Sequence, residues 1–225
     1  PGHVIQEIVA NDRIIGGMTR ACSNLAVDLY SILVEGKCHI TNARTAEMTK
    51  LTENSCRDVQ IAFANELSII CDELDIDVWE LISLSNRHPR INILNPGPGV
   101  GGHCIAVDPW FIISKTPDKS PLIRAARNVN NDKPKWVINQ IDKALLEFLK
   151  ENPEKSMKDI IVACYGLTFK ANIDDLRESP ALQITTKFSY SHQGKILVVE
   201  PNIHSLPGDI SHLELVTKEK AFEVA

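Results

Sequence analysis

Residues 160–199 read IIVACYGLTFKANIDDLRESPALQITTKFSYSHQGKILVV, and the texture of this stretch sets the fold class. Two short apolar runs rich in β-branched residues, Ile160 to Tyr165 and Lys195 to Val199, read as buried strands. Between them Pro180 to Tyr190 reads as a helix. Strand–helix–strand is the building block of a parallel α/β sheet. Two parallel strands make a poor independent sheet, and the chain stops at Ala225 inside a helix-like segment. The C-terminal region therefore reads as the first part of a larger α/β domain.

Upstream the texture changes. Glu151 to Lys158, polar and Pro-containing, reads as a linker, and most of what precedes it is helical. The longest helix is expected over about residues 45–74. Its Met48, Leu51, Val59, Phe63, Leu67 and Ile70 recur at three- and four-residue spacing, which predicts one buried stripe. A helix this long suits the spine of a small helical domain or a dimer interface. Further helices are expected over about 78–86, 120–130 and 134–150, with Pro134 in a first-turn position. Near the N-terminus, residues 4–10 predict a short helix and Ile14-Ile15 a strand ending on Gly16-Gly17. Residues 21–34 predict a helix stopped by Gly36. Lys37 to Thr41 predicts another strand. The resulting domain reading is 1–36, 37–152 and 153–225.

The composition excludes several classes. A net charge of −5 over 225 residues gives no electrostatic case for nucleic acid. No apolar run approaches a membrane span, and Pro1-Gly2-His3 leads directly into amphipathic sequence, without the pattern of a signal peptide. The absence of an initial Met suggests residues upstream. The six cysteines form no Cys-x-x-Cys pair and no disulfide pattern, which points to a reduced, cytoplasmic setting. Five of them read as packing residues.

Cys104 is the exception. Residues 95–104, Asn-Pro-Gly-Pro-Gly-Val-Gly-Gly-His-Cys, fit neither helix nor strand, and their glycines let a ligand come close to backbone. A nucleophilic cysteine needs access and a stabilised thiolate, which a loop–helix junction supplies. A glycine-rich turn with a bystander cysteine is the plain alternative. Gly97, Gly99 and Gly102 also satisfy Gly-x-Gly-x-x-Gly, but no buried strand leads in and two prolines interrupt the turn. No partner for His103-Cys104 stands at zinc-site spacing, so no metal is expected.

Other residues group by spacing. Lys50 and Asn54 share a helix face, with Arg57 and Asp58 continuing it. That face can hold a polarised oxygen, or it is solvated surface. Arg87-His88-Pro89-Arg90 gathers phosphate-binding donors just before the loop, or decorates the surface. Lys170 and Arg177 follow the first strand of the sheet, at the end where such sheets bind ligands; they form a phosphate site there, or are two surface charges beside a turn.

Four segments, in this order, resemble the UDP-glucose/GDP-mannose dehydrogenase family. They are Ala46-Glu47-Met48-Thr49-Lys50-Leu51-Thr52-Glu53-Asn54, residues 97–109 (Gly-Pro-Gly-Val-Gly-Gly-His-Cys-Ile-Ala-Val-Asp-Pro), Gly166-Leu167-Thr168-Phe169-Lys170, and Asp174-Asp175-Leu176-Arg177-Glu178-Ser179-Pro180. Val107-Asp108 stands where UDP-glucose dehydrogenases usually carry Lys-Asp, which favours the N-acetylhexosamine branch.

The resemblance implies a four-electron, NAD-dependent oxidation of a UDP-N-acetylhexosamine, UDP-N-acetyl-D-mannosamine first among them, from C6 alcohol to carboxylate. The product would serve as a precursor of surface polysaccharide. Cys104 would be the nucleophile, passing through thiohemiacetal and thioester, and Lys50 the acid/base at the C6 oxygen. Asn54 and Asp108 would position that oxygen and the hydrolytic water. Arg57, Phe169, Lys170 and the Gly101 backbone would contact the UDP-sugar. His88 and Arg90 would reach a neighbouring subunit's site, and Arg177 would touch NAD. The implied fold is two Rossmann-like domains bridged by a helical domain that forms a homodimer through its long helix. Against that pattern the chain reads as lacking the N-terminal dinucleotide-binding domain and carrying a partial UDP-binding domain. It is expected to hold NAD poorly alone, and a non-catalytic dimerisation and UDP-sugar-binding module is the other reading.

Overall fold

A computed structural model describes residues 4–225; Pro1-Gly2-His3, on which the leader reading rested, lies outside the described residues. The chain divides into two compact units, one running to Cys56 and one beginning at Arg57.

The first unit contains α1 (Val4–Ala10), β1 (Arg13–Gly17), α2 (Arg20–Tyr30), β2 (Cys38–Asn42) and the opening turns of α3 (Ala43–Glu73). β1 and β2 pair in parallel from Arg13 opposite Cys38 to Gly17 opposite Asn42, across the boundary expected at residues 36/37. The Asp12 carboxylate fixes the entry: it accepts from Lys37 N at 2.8 Å and bonds His39 Nε2 at 2.9 Å. The His39 bond, then the Lys37 N–H, holds Asp12 below the usual carboxylate range. Thr19 caps α2 by accepting from Cys22 N. Contrary to expectation, α2 ends at Tyr30, and Gly36 is not its stop. Gly36 is needed for close approach, since a Cβ there would sit 2.4 Å from the Asn11 carbonyl oxygen.

The second unit continues α3 and adds α4 (Val78–Ser85), α5 (Asp108–Lys115), α6 (Pro121–Glu151), β3 (Val162–Tyr165), α7 (Pro180–Ser191), β4 (Ile196–Val199), β5 (Glu214–Leu215) and α8 (Lys218–Val224). The sheet runs β3-β4-β5, all parallel, so the strand–helix–strand reading stands. β5 was missed because two residues between turns carry no periodicity. Ile196 and Val198 on β4 face a core with Leu145, Ile160, Leu167, Phe188 and Ile210. Burying side chains of this size stabilises by about 1.5–3 kcal/mol each.

Two helical expectations need correction. Residues 120–130 and 134–150 form one helix, α6, with Pro134 in its interior. Proline removes one helical hydrogen bond, leaving the Asn130 carbonyl without its usual partner, and that carbonyl lies against Gly99 of the cysteine loop. The apolar stripe of α3 is not buried. Met48, Phe63 and Ile70 are 44–54% exposed, and Leu51, Val59 and Leu67 are half-buried. The fully covered positions of α3 are instead Ser55, Asp58, Ala62, Ala64, Asn65 and Cys71. Periodicity located a face correctly but not what covers it.

Candidate active site: the cysteine loop

Pro96 to Cys104 adopts no regular structure, and an irregular segment rather than a strand leads into it. Just before it, the Asn86 side chain closes a turn by donating to Ile93 O at 2.9 Å and accepting from Ile93 N at 2.7 Å. His88 and Arg90 lie exposed in that turn, where Arg90 N donates to His88 Nδ1 at 3.3 Å.

The far end of the loop is docked on the segment after β3. Gly102 N donates to Arg177 O at 3.1 Å. Gly102 has φ +83°, a left-handed conformation costly for other residues. Any Cβ on it would also lie 2.9 Å from the Phe169 ring. At Gly101 a Cβ would stand 2.4 Å from the Glu178 carbonyl oxygen. Both glycines are therefore required by close contact, and the contact brings Gly101, Phe169 and Arg177 together.

Cys104 is exposed. No helix starts at Cys104 itself: α5 begins four residues later, at Asp108, with Val107 as its N-cap. Cys104 instead opens the preceding turn, its carbonyl accepting from Val107 N at 3.0 Å and Asp108 N at 2.8 Å. This turn holds Asp108 one helical step from the thiol-bearing residue. Cys22 and Cys56 are exposed as well and are not the packing residues expected, whereas Cys71 is buried. Burial pushes the Cys164 thiol up.

The Arg177 guanidinium is exposed and forked onto Asp175, with Nε at 3.0 Å from both carboxylate oxygens and Nη2 at 2.6 Å from Oδ2. That pairing holds Asp175 down to about 2. It also raises Arg177, with a smaller contribution from Cys104 nearby. The segment's base is fixed by Glu200, which follows β4. Its carboxylate accepts from Leu167 N at 2.9 Å and from Thr168 N at 3.2 Å. Burial raises Glu200, but the N–H groups of Leu167, Asn202 and Thr168 outweigh it and hold the group below its ordinary value. Lys170 is exposed two residues beyond Thr168, whose hydroxyl donates to the Lys170 carbonyl at 2.9 Å.

Lys50 and Asn54 belong to the first unit. Lys50 is exposed and bridges Glu53 at 3.3 Å, while Asn54 is buried. The face they share does not continue as expected: Arg57 is exposed and Asp58 fully buried. Asp58 accepts from Arg127 Nη1 at 2.6 Å and from Asn130 Nδ2 at 2.8 Å.

The sequence reading missed this buried polar ladder. Asn130 also accepts from Asn65 Nδ2 at 2.9 Å, and Asn65 Oδ1 accepts from Gly97 N at 2.8 Å at the root of the loop. One signal was available: Asn65 directly follows an apolar run, Ile61-Ala62-Phe63-Ala64. Among the described residues no group of three His, Cys, Asp or Glu side chains is placed to hold a metal. No helix among them is long and apolar enough to cross a membrane.

Residues 44–132 match the UDP-glucose/GDP-mannose dehydrogenase family, central domain. Residues 163–224 match the same family's UDP binding domain. The chain is 59% identical to a UDP-N-acetyl-D-mannosamine dehydrogenase of Escherichia coli (strain K12) over 213 residues, 95% of this chain and 50% of that protein. It is 56% identical to an NDP-N-acetyl-D-galactosaminuronic acid dehydrogenase of Ralstonia solanacearum, over 100% of this chain and 51% of that protein. A solved UDP-D-ManNAc dehydrogenase from Pyrococcus horikoshii superposes with a TM-score of 0.81 at 40% identity, covering 91% of this chain and 47% of that one. The chain thus spans about half the length of the relatives it matches.

Proposed function

Since this chain belongs to the UDP-glucose/GDP-mannose dehydrogenase family, we propose that it supplies the cysteine and UDP-sugar side of an NAD-dependent dehydrogenase. The reaction is oxidation of UDP-N-acetyl-D-mannosamine from the C6 alcohol to the carboxylate, making a precursor of surface polysaccharide. One observation carries the reading: Cys104 stands exposed at the end of a loop docked against Phe169 and Arg177.

In this reading Cys104 Sγ bonds the sugar C6 at the aldehyde level as a thiohemiacetal and keeps it as a thioester. Water then releases the acid and restores the thiol. Lys50 moves the proton at the C6 oxygen. Asn54 and Asp108 orient that oxygen and the water. Arg57, Phe169, Lys170 and the Gly101 backbone bind the UDP-sugar. NAD would supply the oxidising power, two molecules binding in turn and each accepting one hydride. Arg177 fits a contact to it as an exposed cation beside Cys104, although Asp175 already holds its Nε and Nη2. His88 and Arg90 serve the site of a second copy, and the exposed stripe of Met48, Phe63 and Ile70 on α3 supports a homodimer.

The test is NADH absorbance and uronic acid formation with UDP-N-acetyl-D-mannosamine, in a protein joining this chain to the N-terminal half of the Escherichia coli relative. Cys104→Ala is expected to abolish acid formation and leave UDP-sugar binding within about threefold, since the thiol makes no ground-state contact of consequence. Full turnover by that variant would remove Cys104 from the mechanism. Sugar-nucleotide binding without any NADH would favour the module reading.

A further inference from the structure

We infer that Asn65 is a positioning residue for Cys104, acting through the root of the cysteine loop. This inference rests on the reading of Cys104 as the nucleophile.

The loop contains two prolines and four glycines between Pro96 and Cys104. Glycines in an unsupported segment sample many backbone states, and ordering each residue costs about 1–2 kcal/mol. A nucleophile at the end of such a segment is productive only if something else fixes the backbone, because small displacements at the reacting atom cost rate steeply. Two backbone anchors do so here. Near the thiol, Gly102 N donates to Arg177 O. At the other end, Gly97 N donates to Asn65 Oδ1 at 2.8 Å. Between them Gly99 lies against the Asn130 carbonyl and the Pro134 ring, on the turn of α6 that Pro134 deprives of a hydrogen bond.

Asn65 suits this role because none of its groups can move independently. It is wholly buried. Its Nδ2 is given to Asn130 Oδ1 at 2.9 Å, while Asn130 Nδ2 is given to Asp58 Oδ1 at 2.8 Å and Asp58 O at 3.1 Å. Its carbonyl accepts from Ser68 Oγ at 2.7 Å, and Ser68 in turn accepts from Lys133 Nζ at 2.5 Å. The amide is therefore oriented by its neighbours, and its Oδ1 can only face the loop. An apolar residue of the same size would keep the packing and leave Gly97 N and Asn130 Oδ1 unpaired.

The experiment uses Asn65→Leu, Asn65→Asp and, as a control of comparable burial away from the loop, Leu197→Ala. Two readouts need no turnover: amide hydrogen exchange over residues 97–104, and the rate of Cys104 alkylation by iodoacetamide. Alkylation is resolved from that of Cys22 and Cys56 by peptide mass spectrometry. In Asn65→Leu, loop exchange is expected to rise about tenfold or more and the Cys104 rate to change by at least about threefold, as loss of a buried hydrogen bond predicts. The kcat of the joined enzyme is expected to fall about tenfold, with the KM for the UDP-sugar nearly unchanged.

Asn65→Asp carries the distinguishing signature. When protonated, its carboxyl both accepts from Gly97 N and donates to Asn130, as asparagine does. When ionised it opposes the Asn130 oxygen. The charged groups linked to it are Asp58 on α3 and Arg127 on α6, through Asn130, and Lys133 on α6, through Ser68; all three are the same in variant and parent. The ratio of variant to parent in loop protection is expected to approach one at low pH and fall as pH rises. The inference is overturned if Asn65→Leu keeps the parent's exchange and alkylation, or if Leu197→Ala disturbs the loop equally. It is also overturned if Asn65→Asp shows no pH-dependent difference from the parent. A parent enzyme without turnover would refute the proposed function and leave the exchange result standing.

Discussion

The two halves of α6 are held by opposite means. Its C-terminal half sends Ile141, Leu145 and Leu149 into the apolar core beneath the sheet. Its N-terminal half presents Arg127, Asn130 and Lys133, each 3% exposed or less, to the polar groups of α3. The first contact is non-directional and gains free energy roughly with the area buried. The second gains little net energy, because desolvating Asp58 and Arg127 offsets most of their attraction. What it supplies is direction: each hydrogen bond permits one arrangement, and the last one in the row reaches Gly97. The half that anchors the cysteine loop is the half held by geometry.

The largest effect is expected where one partner of the ladder is removed. Arg127→Met leaves the Asp58 carboxylate buried without its 2.6 Å partner, and the loss should be about 3–5 kcal/mol. Denaturant unfolding of the chain measures it. Phe188→Ala, which empties a 1% exposed position in the apolar core, should cost slightly less, about 3–4 kcal/mol. Second substitutions sharpen the contrast. Adding Asp58→Leu to Arg127→Met should recover about 2 kcal/mol, since no unpaired charge then remains. Adding Leu197→Ala to Phe188→Ala should give a near-additive loss, the two lying on different faces of the sheet region. Additive losses in both halves would mean that the ladder behaves as ordinary packing.

This difference also explains what could be read from the sequence. Ile160, Ile196 and Val198 announce their burial through composition and spacing, so β3, β4 and α7 lay within a residue or two of their expected places. The loop was legible because glycine and proline exclude regular structure. The ladder was not. Asp58, Asn65, Arg127 and Asn130 are residue types ordinarily solvated, and only the pairing of positions 65–72 residues apart makes their burial tolerable. Pro134 misled for a related reason: a proline after a helical run usually marks a new start, and local pattern cannot show that α6 continues through it. Of the candidate residues, the structure gathers Cys104, Asp108, Gly101, Phe169 and Arg177 about one loop, while Lys50 and Asn54 belong to the first unit.

Lys133 tests the polar half by pH. Burial depresses it from 10.5 to about 8, with Asp72 opposing the shift. The folded chain therefore releases this proton near pH 8, while the unfolded chain holds it to about 10.5. Between those values the unfolded state binds more protons, so this group makes stability rise with pH across the window. The full gain is on the order of 3 kcal/mol. In Lys133→Met that component should vanish. Urea unfolding of parent and variant at pH 7, 8.5 and 10 should show the parent gaining stability relative to the variant as pH rises. A constant difference would mean that Lys133 stays charged, held by Ser68 and by the Trp136 ring 3.6 Å from its Nζ.

The smallest effect separates direction from burial altogether. Asp77 caps α4 from an exposed position, its Oδ1 accepting from Trp79 N at 2.8 Å and Glu80 N at 3.3 Å. It resembles Asn65 in binding backbone N–H groups, but water can replace it once it is gone. Asp77→Ala should therefore cost only about 1 kcal/mol, well below the loss for Asn65→Leu, which leaves a half-buried Gly97 N–H and the buried Asn130 oxygen unpaired. The comparison is made by denaturant midpoints of the two variants in the same chain. If Asp77→Ala proves as costly as Asn65→Leu, water reaches Gly97 N as readily as it reaches α4. The loop root would then be solvated, and the ladder would hold the two helices together without holding the loop.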